Sequence, residues 1–212
     1  MPSTQPPRDC PLCPRLVAFR EEAQRLHPDW YNNPVPYWGD PDARLIIIGL
    51  APGLKGANRT GRPFTGDYAG DLLYATLRKM GLATGEYSQS PDDGLELKNT
   101  LIANAVACVP PENKPTNDEQ KTCRQFLIKR LAEQQPKAYL ALGRIAHDSL
   151  LVSLGEKRSA HPFGHGAEHE LGGGVRLFDS YHCSRYNTNT GVLTTAMFED
   201  VVGRAATFVG SK

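Results

Sequence analysis

The chain has 212 residues and a formal net charge of +1, with 24 Lys and Arg against 23 Asp and Glu. This balance excludes a polycationic protein, and a composition of 40% hydrophobic and 22% charged residues excludes an intrinsically disordered chain. The length suits one domain, which we assign to residues 1–212. No apolar run is long enough for a membrane span, and the first residues lack the apolar core of a signal peptide. We expect a monomeric, cytoplasmic protein with no membrane partner.

Short apolar runs alternate with amphipathic segments along the chain, after a proline-rich N-terminal arm. The amphipathic segments predict helices over 16–26, 70–80, 118–134 (with Asn117 or Asp118 as N-cap), 144–154 and 193–209. The apolar runs predict strands over 44–50, 101–107, 138–142 and 175–180. This alternation indicates a parallel sheet between layers of helices, and ligands of such sheets bind at the carboxyl ends of the strands. Functional residues are therefore expected after Leu50, Ala103 and Ser180.

Four of the five cysteines form a candidate metal site. Cys10 and Cys13 make a C-x2-C pair in the polar arm, which offers them little core to bury in, and Cys108 and Cys123 lie far along the chain. Four thiolates suit either a zinc ion or an iron–sulfur cluster. The alternative for Cys108 and Cys123 is that they are small buried hydrophobic residues. The residues alone leave the metal open.

A glycine-rich loop over 51–71 follows the first predicted strand and can bring backbone N–H groups and positive charge close to phosphates. Its three cations are Lys55, Arg59 and Arg62. The loop matches neither G-x-x-x-x-G-K-S/T nor G-x-G-x-x-G, which disfavours nucleotide binding. A solvated surface loop is the alternative, but it leaves an aromatic residue and a carboxylate among the glycines, Phe64 and Asp67, without a role.

Two other predicted strand ends carry polar side chains. Asn104 has an amide that can pair with the edge of a nucleobase, although such a residue is often only a turn former. His182 begins a polar loop and is followed by Ser184, Arg185 and Tyr186. Because parallel strands end at the same edge of a sheet, these residues and the glycine-rich loop are expected to converge.

Three further histidines, His161, His165 and His169, are spaced by four residues. The proline and glycines between them prevent the helix that would place them on one face. We interpret them as loop residues rather than as a metal site.

Taken together, these motifs resemble those of the uracil-DNA glycosylase superfamily, and within it the iron–sulfur-containing family 5. The segments that carry the resemblance are GLAPGLKGANRTGRPFTGDYAG (49–70), NAVACVPPENKPT (104–116), LALGRIAH (140–147), FGHG (163–166) and YHCSRYNTNTG (181–191). In the related family 4 an acidic residue follows the position of Gly49, whereas this chain has Leu50, as family 5 does. The four cysteines complete the pattern.

The resemblance implies a three-layer α/β/α sandwich around a four-stranded parallel sheet. It also implies a DNA repair enzyme that flips uracil, or another deaminated base such as hypoxanthine, out of DNA and hydrolyses its N-glycosidic bond. A 4Fe-4S cluster would be bound by Cys10, Cys13, Cys108 and Cys123 and would fold back the arm over 1–15. The alternative is a four-cysteine zinc protein that binds nucleic acid without glycosylase activity.

The resemblance also distributes roles among the candidate residues. Asp67 would orient or deprotonate water, and His182 would donate a hydrogen bond to uracil O2. The substrate-binding set is Ala51, Pro52, Gly53, Phe64, Asn104 and Asn187, and the DNA-binding set is Lys55, Arg59, Arg62, Ser184, Arg185 and Tyr186. Within the latter, Tyr186 and Arg185 would fill the gap left by the flipped base. Cys183 stands where the family usually has proline, and we expect a free, oxidisable thiol there.

Overall fold

The computed structural model describes residues 4–210, so the first three residues of the predicted arm lie outside the described chain. The helices are α1 (Pro14–Leu26), α2 (Ala57–Thr60), α3 (Tyr68–Lys79), α4 (Asn117–Ala132), α5 (Arg144–Leu154), α6 (Arg185–Asn189) and α7 (Thr195–Val209). The strands are β1 (Trp38–Gly39), β2 (Leu45–Gly49), β3 (Ala83–Thr84), β4 (Glu96–Leu97), β5 (Thr100–Asn104), β6 (Ala138–Leu142), β7 (Glu168–Glu170) and β8 (Arg176–Ser180). Among these helices, none has the length and apolar character needed to cross a membrane.

The main sheet has the strand order β1-β5-β2-β6-β8-β7. Its four central strands are parallel, as predicted, and β1 and β7 add antiparallel edges. These edge strands were not predicted, because segments of two or three residues are too short for an apolar pattern to show. A separate two-stranded hairpin, β3–β4, was missed for the same reason.

Helices cover both faces of the sheet and bury the central strands. On β2, Leu45 and Ile47 face one core, which contains side chains of α3 and α7. Ile46 and Ile48 face the other core, which contains side chains of α4 and α5. Every residue of β2 is buried, as expected for a parallel strand covered on both sides. The structure therefore confirms the predicted α/β/α sandwich.

The ends of the predicted elements shift where capping side chains act. Thr116, rather than Asn117 or Asp118, caps α4 and forms a capping box with Glu119. Thr194 accepts a hydrogen bond from the Met197 N–H, so α7 begins two residues later than predicted. The bounds of β6 and α5 match the prediction.

A buried histidine cluster ties α5 to β8. His147 Nδ1 lies 2.7 Å from Asp179 Oδ1, and its Nε2 donates to the His161 carbonyl at 2.8 Å. His169 Nε2 lies 3.2 Å from the second oxygen of Asp179, and His169 itself lies on strand β7, which corrects the prediction of a loop. Burial opposes protonation of His147, but Asp179 outweighs it and raises the pKa of this histidine. The cluster fixes the strand that leads directly into the loop of His182.

Candidate active site

A cavity of about 580 Å³ opens at the carboxyl ends of the central strands. It brings together ten of the fourteen residues predicted from the sequence for catalysis, substrate binding or DNA binding. They are Ala51, Pro52, Gly53, Lys55, Phe64, Asp67, Asn104, His182, Ser184 and Arg185. The expectation that three strand ends converge on one site is therefore confirmed, while the individual roles remain predictions.

Asp67 reaches the cavity as the N-cap of α3. Its Oδ1 accepts a hydrogen bond from the Gly70 N–H at 3.3 Å. A Cβ atom at Gly56 would lie 2.3 Å from Asp67 Oδ2, and one at Gly53 would lie 3.1 Å from it, so the carboxylate needs glycine at Gly56. Burial raises the pKa of Asp67, partly offset by backbone N–H donors. The carboxyl group therefore takes up a proton at a higher pH than an exposed aspartate does.

Phe64 and Asn104 meet above Gly49, at the end of β2. A Cβ atom at Gly49 would lie 2.4 Å from Asn104 Oδ1 and 2.8 Å from Phe64 Cζ. Within residues 4–210, the buried Asn104 Oδ1 has no hydrogen-bond partner. Leaving a buried acceptor unpaired costs free energy, so this amide suits a ligand with a polar edge. Phe64 holds a left-handed backbone (φ 51°), an uncommon conformation for a bulky residue and one often found at functional sites.

His182 follows β8 and faces the same cavity. Its ring lies 6.0 Å from the Phe64 ring, centroid to centroid, at an angle of 28°. Burial lowers the pKa of His182 to about 4, so the imidazole is neutral at pH 7. Asn187 Nδ2 donates to the His182 carbonyl at 2.8 Å. Asn187 thus holds the backbone of His182 and is not among the residues that line the cavity, and its role in substrate binding stays a prediction.

Most of the other predicted DNA-binding residues lie at the surface around the cavity. Ser184 caps α6 by accepting a hydrogen bond from the Asn187 N–H. Tyr186 is 74% exposed on the first turn of α6, and the Arg185 guanidinium lies 5.4 Å from the Tyr68 ring. Lys55 is exposed, and Arg59 Nε donates to the Lys55 carbonyl at the surface of the same loop.

Arg62 does not belong to this exposed set, and its prediction as a DNA-binding residue is wrong. Its side chain is 4% exposed and forms a bidentate ion pair with Asp93 at 2.8 Å. The guanidinium is therefore saturated inside the protein and cannot reach a phosphate. The residues next to Arg62 in the sequence do not indicate that its side chain is buried, because its partner Asp93 lies 31 residues away.

Cys183 is a free cysteine, as predicted, but the expectation that an oxidant can reach its thiol is wrong. The side chain is fully buried, and its Sγ donates to the Ala69 carbonyl at 3.5 Å. Burial raises the pKa of this thiol to about 12, which removes the thiolate on which oxidation depends. Cys183 instead packs the loop of His182 against α3.

The four remaining cysteines, Cys10, Cys13, Cys108 and Cys123, line one small cavity between the arm, α1 and α4. Two N–H donors point at their sulfur atoms. The Ala107 N–H lies 3.4 Å from Cys123 Sγ, and Arg20 Nη1 lies 3.9 Å from Cys108 Sγ. The arm is thus folded back onto the body beside these cysteines.

The family model of the uracil-DNA glycosylase superfamily matches residues 36–205. The chain belongs to the uracil-DNA glycosylase superfamily. It is similar to a type-5 uracil-DNA glycosylase of Thermus thermophilus, with 48% identity over 95% of this chain and 94% of the relative. Type-5 uracil-DNA glycosylases of Pyrobaculum aerophilum and Mycobacterium bovis are 42% and 43% identical over 95% of this chain, covering 90% and 78% of those relatives. The resemblance to family 5 is therefore confirmed.

In this superfamily member, the polar residues of the cavity can be recognised from the sequence, whereas the glycines that leave room for them cannot. Gly49 and Gly56 have no chemistry of their own, and only the structure shows which side chains approach them. The glycines inside the matched segment over 49–70 were the available signal.

The electrostatics of the cavity predict that His182 remains neutral at any pH near physiological. In an NMR titration, the ring signals of His182, assigned by their loss in His182→Gln, should shift with a midpoint near pH 4 because burial disfavours the imidazolium. The unfolded chain is the control, with a midpoint of about 6.5. A midpoint near 6.5 in the folded protein would contradict this description of the site.

Proposed function

We propose that this chain hydrolyses the N-glycosidic bond of uracil in DNA and leaves an abasic site. One observation carries the proposal: the unpaired Asn104 Oδ1, the Phe64 ring, the Asp67 carboxylate and the neutral His182 all face one cavity. The names of the relatives, type-5 uracil-DNA glycosylases, support the same activity. A zinc protein without glycosylase activity, the alternative from the sequence, has no support among these relatives.

Uracil must leave the DNA duplex to enter the cavity. A base inside a duplex cannot reach a recessed pocket, so the nucleotide must be flipped, at a cost of a few kcal/mol that is lowest for a mispaired base. Once flipped, the base stacks on Phe64, and its N3–H and O4 pair with the Asn104 amide. This pairing gives the unsatisfied Asn104 Oδ1 its partner.

Breaking the bond develops positive charge on the sugar and negative charge on the departing base. Asp67 stabilises the sugar cation and orients or deprotonates the attacking water. His182 donates a hydrogen bond to O2 of the base anion, and a neutral imidazole can do so through its single N–H. The two developing charges are thus met by different side chains.

Hypoxanthine and other deaminated bases are further substrates in this proposal. Deamination converts an amino group into a carbonyl beside a ring N–H, so hypoxanthine presents the same donor–acceptor edge as uracil. The Asn104 amide can pair with that edge in both bases. The position after Gly49 carries Leu50 rather than an acid, which leaves an apolar wall beside the base.

Exposed groups around the cavity suit the DNA backbone and the gap left by the flipped base. Lys55, Arg59 and Arg185 contact phosphates, which makes binding dependent on salt. Tyr186, exposed on the first turn of α6, inserts between base steps and stabilises the flipped state.

The cysteine cavity fits a 4Fe-4S cluster bound by Cys10, Cys13, Cys108 and Cys123. In a tetrahedral zinc site, Zn–S bonds of 2.3 Å place the sulfur atoms about 3.8 Å apart. Within the described part of the chain, no three cysteine sulfurs lie within 4.8 Å of one another, whereas a cluster of four irons spans a wider set of ligands. The N–H donors of Ala107 and Arg20 suit the partial charge of cluster-bound sulfur. When bound, the cluster would supply a crosslink between the arm and the body.

Asp67→Asn tests the proposed chemistry on a duplex with one uracil, cut by hot alkali wherever the base has been released. The wild type should yield strand cleavage at the uracil. The variant should bind the same duplex but release uracil about 1000-fold more slowly in a single turnover, because the carboxylate is lost. In the wild type, the rate should fall as pH drops through the raised pKa of Asp67, since only the ionised form accepts a proton.

The control is a duplex with thymine in place of uracil, which should stay intact. Intact uracil strands with the wild-type protein would reject the proposed function. A variant as fast as the wild type would reject the role of Asp67 alone.

Cys10→Ala tests the cluster. The wild type should be brown and contain about four irons per chain, and Cys10→Ala should lose iron and unfold at a lower temperature because the arm loses its anchor. Cys183→Ala is the matched control, since Cys183 lies in the core away from the cysteine cavity and its loss should leave the iron content unchanged. A colourless wild-type protein with one zinc would contradict the proposal.

A further inference from the structure

Arg62 lies in a cage that the glycosylase chemistry does not explain. Its guanidinium carbon lies 4.9 Å from the Trp38 ring centroid, 5.6 Å from that of Tyr74 and 5.8 Å from that of Tyr87. The fourth side is closed by Asp93, whose two oxygens each accept a hydrogen bond from Arg62. We call these five residues the Arg62 cage.

The Asp93 carboxylate is also held by two backbone N–H groups. Its oxygens also accept hydrogen bonds from the Ser88 N–H at 2.9 Å and the Leu95 N–H at 3.1 Å. Burial opposes ionisation, but Arg62 and these N–H groups hold the pKa of Asp93 well below its usual range. Asp93 is therefore ionised at neutral pH, and the two parallel hydrogen bonds from Arg62 add geometric precision to the pair.

The cage holds the backbone that leads to the active site. The Tyr74 hydroxyl donates to the Pro63 carbonyl, and the Tyr87 hydroxyl donates to the Phe64 carbonyl at 3.2 Å. Tyr87 also accepts a hydrogen bond from the Gly66 N–H. Two consecutive carbonyls are thus fixed by rings that pack against one guanidinium.

Arg62 adds a direct contact to the same segment. Its Nε donates to Thr65 Oγ1 at 2.7 Å, and the Thr65 carbonyl accepts a hydrogen bond from Thr60. Phe64 needs such support because its left-handed backbone is strained for a bulky residue, and Asp67 follows three residues later as the N-cap of α3. No atom of Arg62 lines the cavity.

We propose that Arg62 is a positioning residue: through Asp93, Tyr74 and Tyr87 it sets the backbone of residues 63–67 and thereby places the Phe64 ring and the Asp67 carboxylate. This inference rests on the proposed function, which gives those two side chains their roles. It reverses the sequence-based expectation for Arg62, since the charge acts inside the protein and not on DNA.

The test compares Arg62→Lys and Tyr87→Phe with the wild type on a uracil-containing duplex. Arg62→Lys keeps the charge but loses the bidentate geometry, and it should slow single-turnover release about 100-fold, the scale expected for a misplacement of about 1 Å. Tyr87→Phe removes only a hydroxyl, and we expect a slowing of about tenfold. If Arg62→Lys does not fold, the rate of uracil release by Tyr87→Phe alone tests the positioning role.

Two further readouts separate positioning from DNA contact and from general stability. Affinity for uracil-free duplex and its dependence on salt should match the wild type in both variants and in Arg62→Gln, which removes the charge, whereas Lys55→Gln should reduce the salt slope by about one. The pH at which the rate falls should move lower in both variants, because a loosened Asp67 becomes better hydrated and its pKa returns towards the ordinary value. Arg25→Gln, an exposed change on α1, is the inert control.

Several results would overturn the proposal. One is release of uracil at the wild-type rate by both variants. Another is a salt slope reduced by about one in folded Arg62→Gln, as in Lys55→Gln, which would make Arg62 a DNA contact. If the wild type itself released no uracil, the proposed function would fail, and hydrogen exchange of the Gly70 N–H, which bonds Asp67, would decide the positioning. Faster exchange of the Gly70 N–H in both variants would support the positioning role of Arg62, and unchanged exchange would refute it.

Discussion

The absence of a side chain at Gly49 is the constraint on which the cavity depends. Gly49 ends the buried strand β2, and the space above it is filled by Asn104 from the neighbouring strand and by the ring of Phe64. Because a Cβ atom at Gly49 would lie 2.4 Å from Asn104 Oδ1 and 2.8 Å from Phe64 Cζ, any other residue would displace both side chains. The proposed site for a base is therefore created by the close approach of two side chains to the Gly49 backbone, at the end of a strand of the sheet.

The proposed catalytic groups, Asp67 and His182, are also held by neighbouring backbone but differ in their surroundings. Asp67 lies against Gly56 and is held by the first turn of α3, and burial raises its pKa. His182 is held through its carbonyl by Asn187, and burial keeps its ring neutral. One group can thus accept a proton while the other donates a hydrogen bond, both near neutral pH. In each case burial is the largest cause of the shift in pKa, and no cationic side chain contributes to either shift.

The sequence predicted the layers and the convergence of the site, because both follow from periodicity and from the geometry of parallel strands. Asn104 and His182 could be placed at one edge of the sheet from the pattern of residues alone, since each follows an apolar run. The environment of Arg62 could not be predicted, because it depends on Asp93 in a loop 31 residues away. The same holds for Cys183, whose burial against α3 is a tertiary contact. The apolar pattern of a sequence locates helices and strands, whereas the burial of a single side chain depends on partners that are distant in the sequence.

Gly49→Ala tests the account most directly. Single-turnover release of uracil should fall by at least about 100-fold, because the methyl group displaces both Phe64 and Asn104. The far-UV circular dichroism spectrum should stay that of the wild type. Gly203→Ala on α7 is the matched control, since its Cβ atom would meet only Met80, at 3.5 Å, and it should release uracil at the wild-type rate. A folded Gly49→Ala protein as active as the wild type would contradict the claim that close approach at Gly49 builds the site.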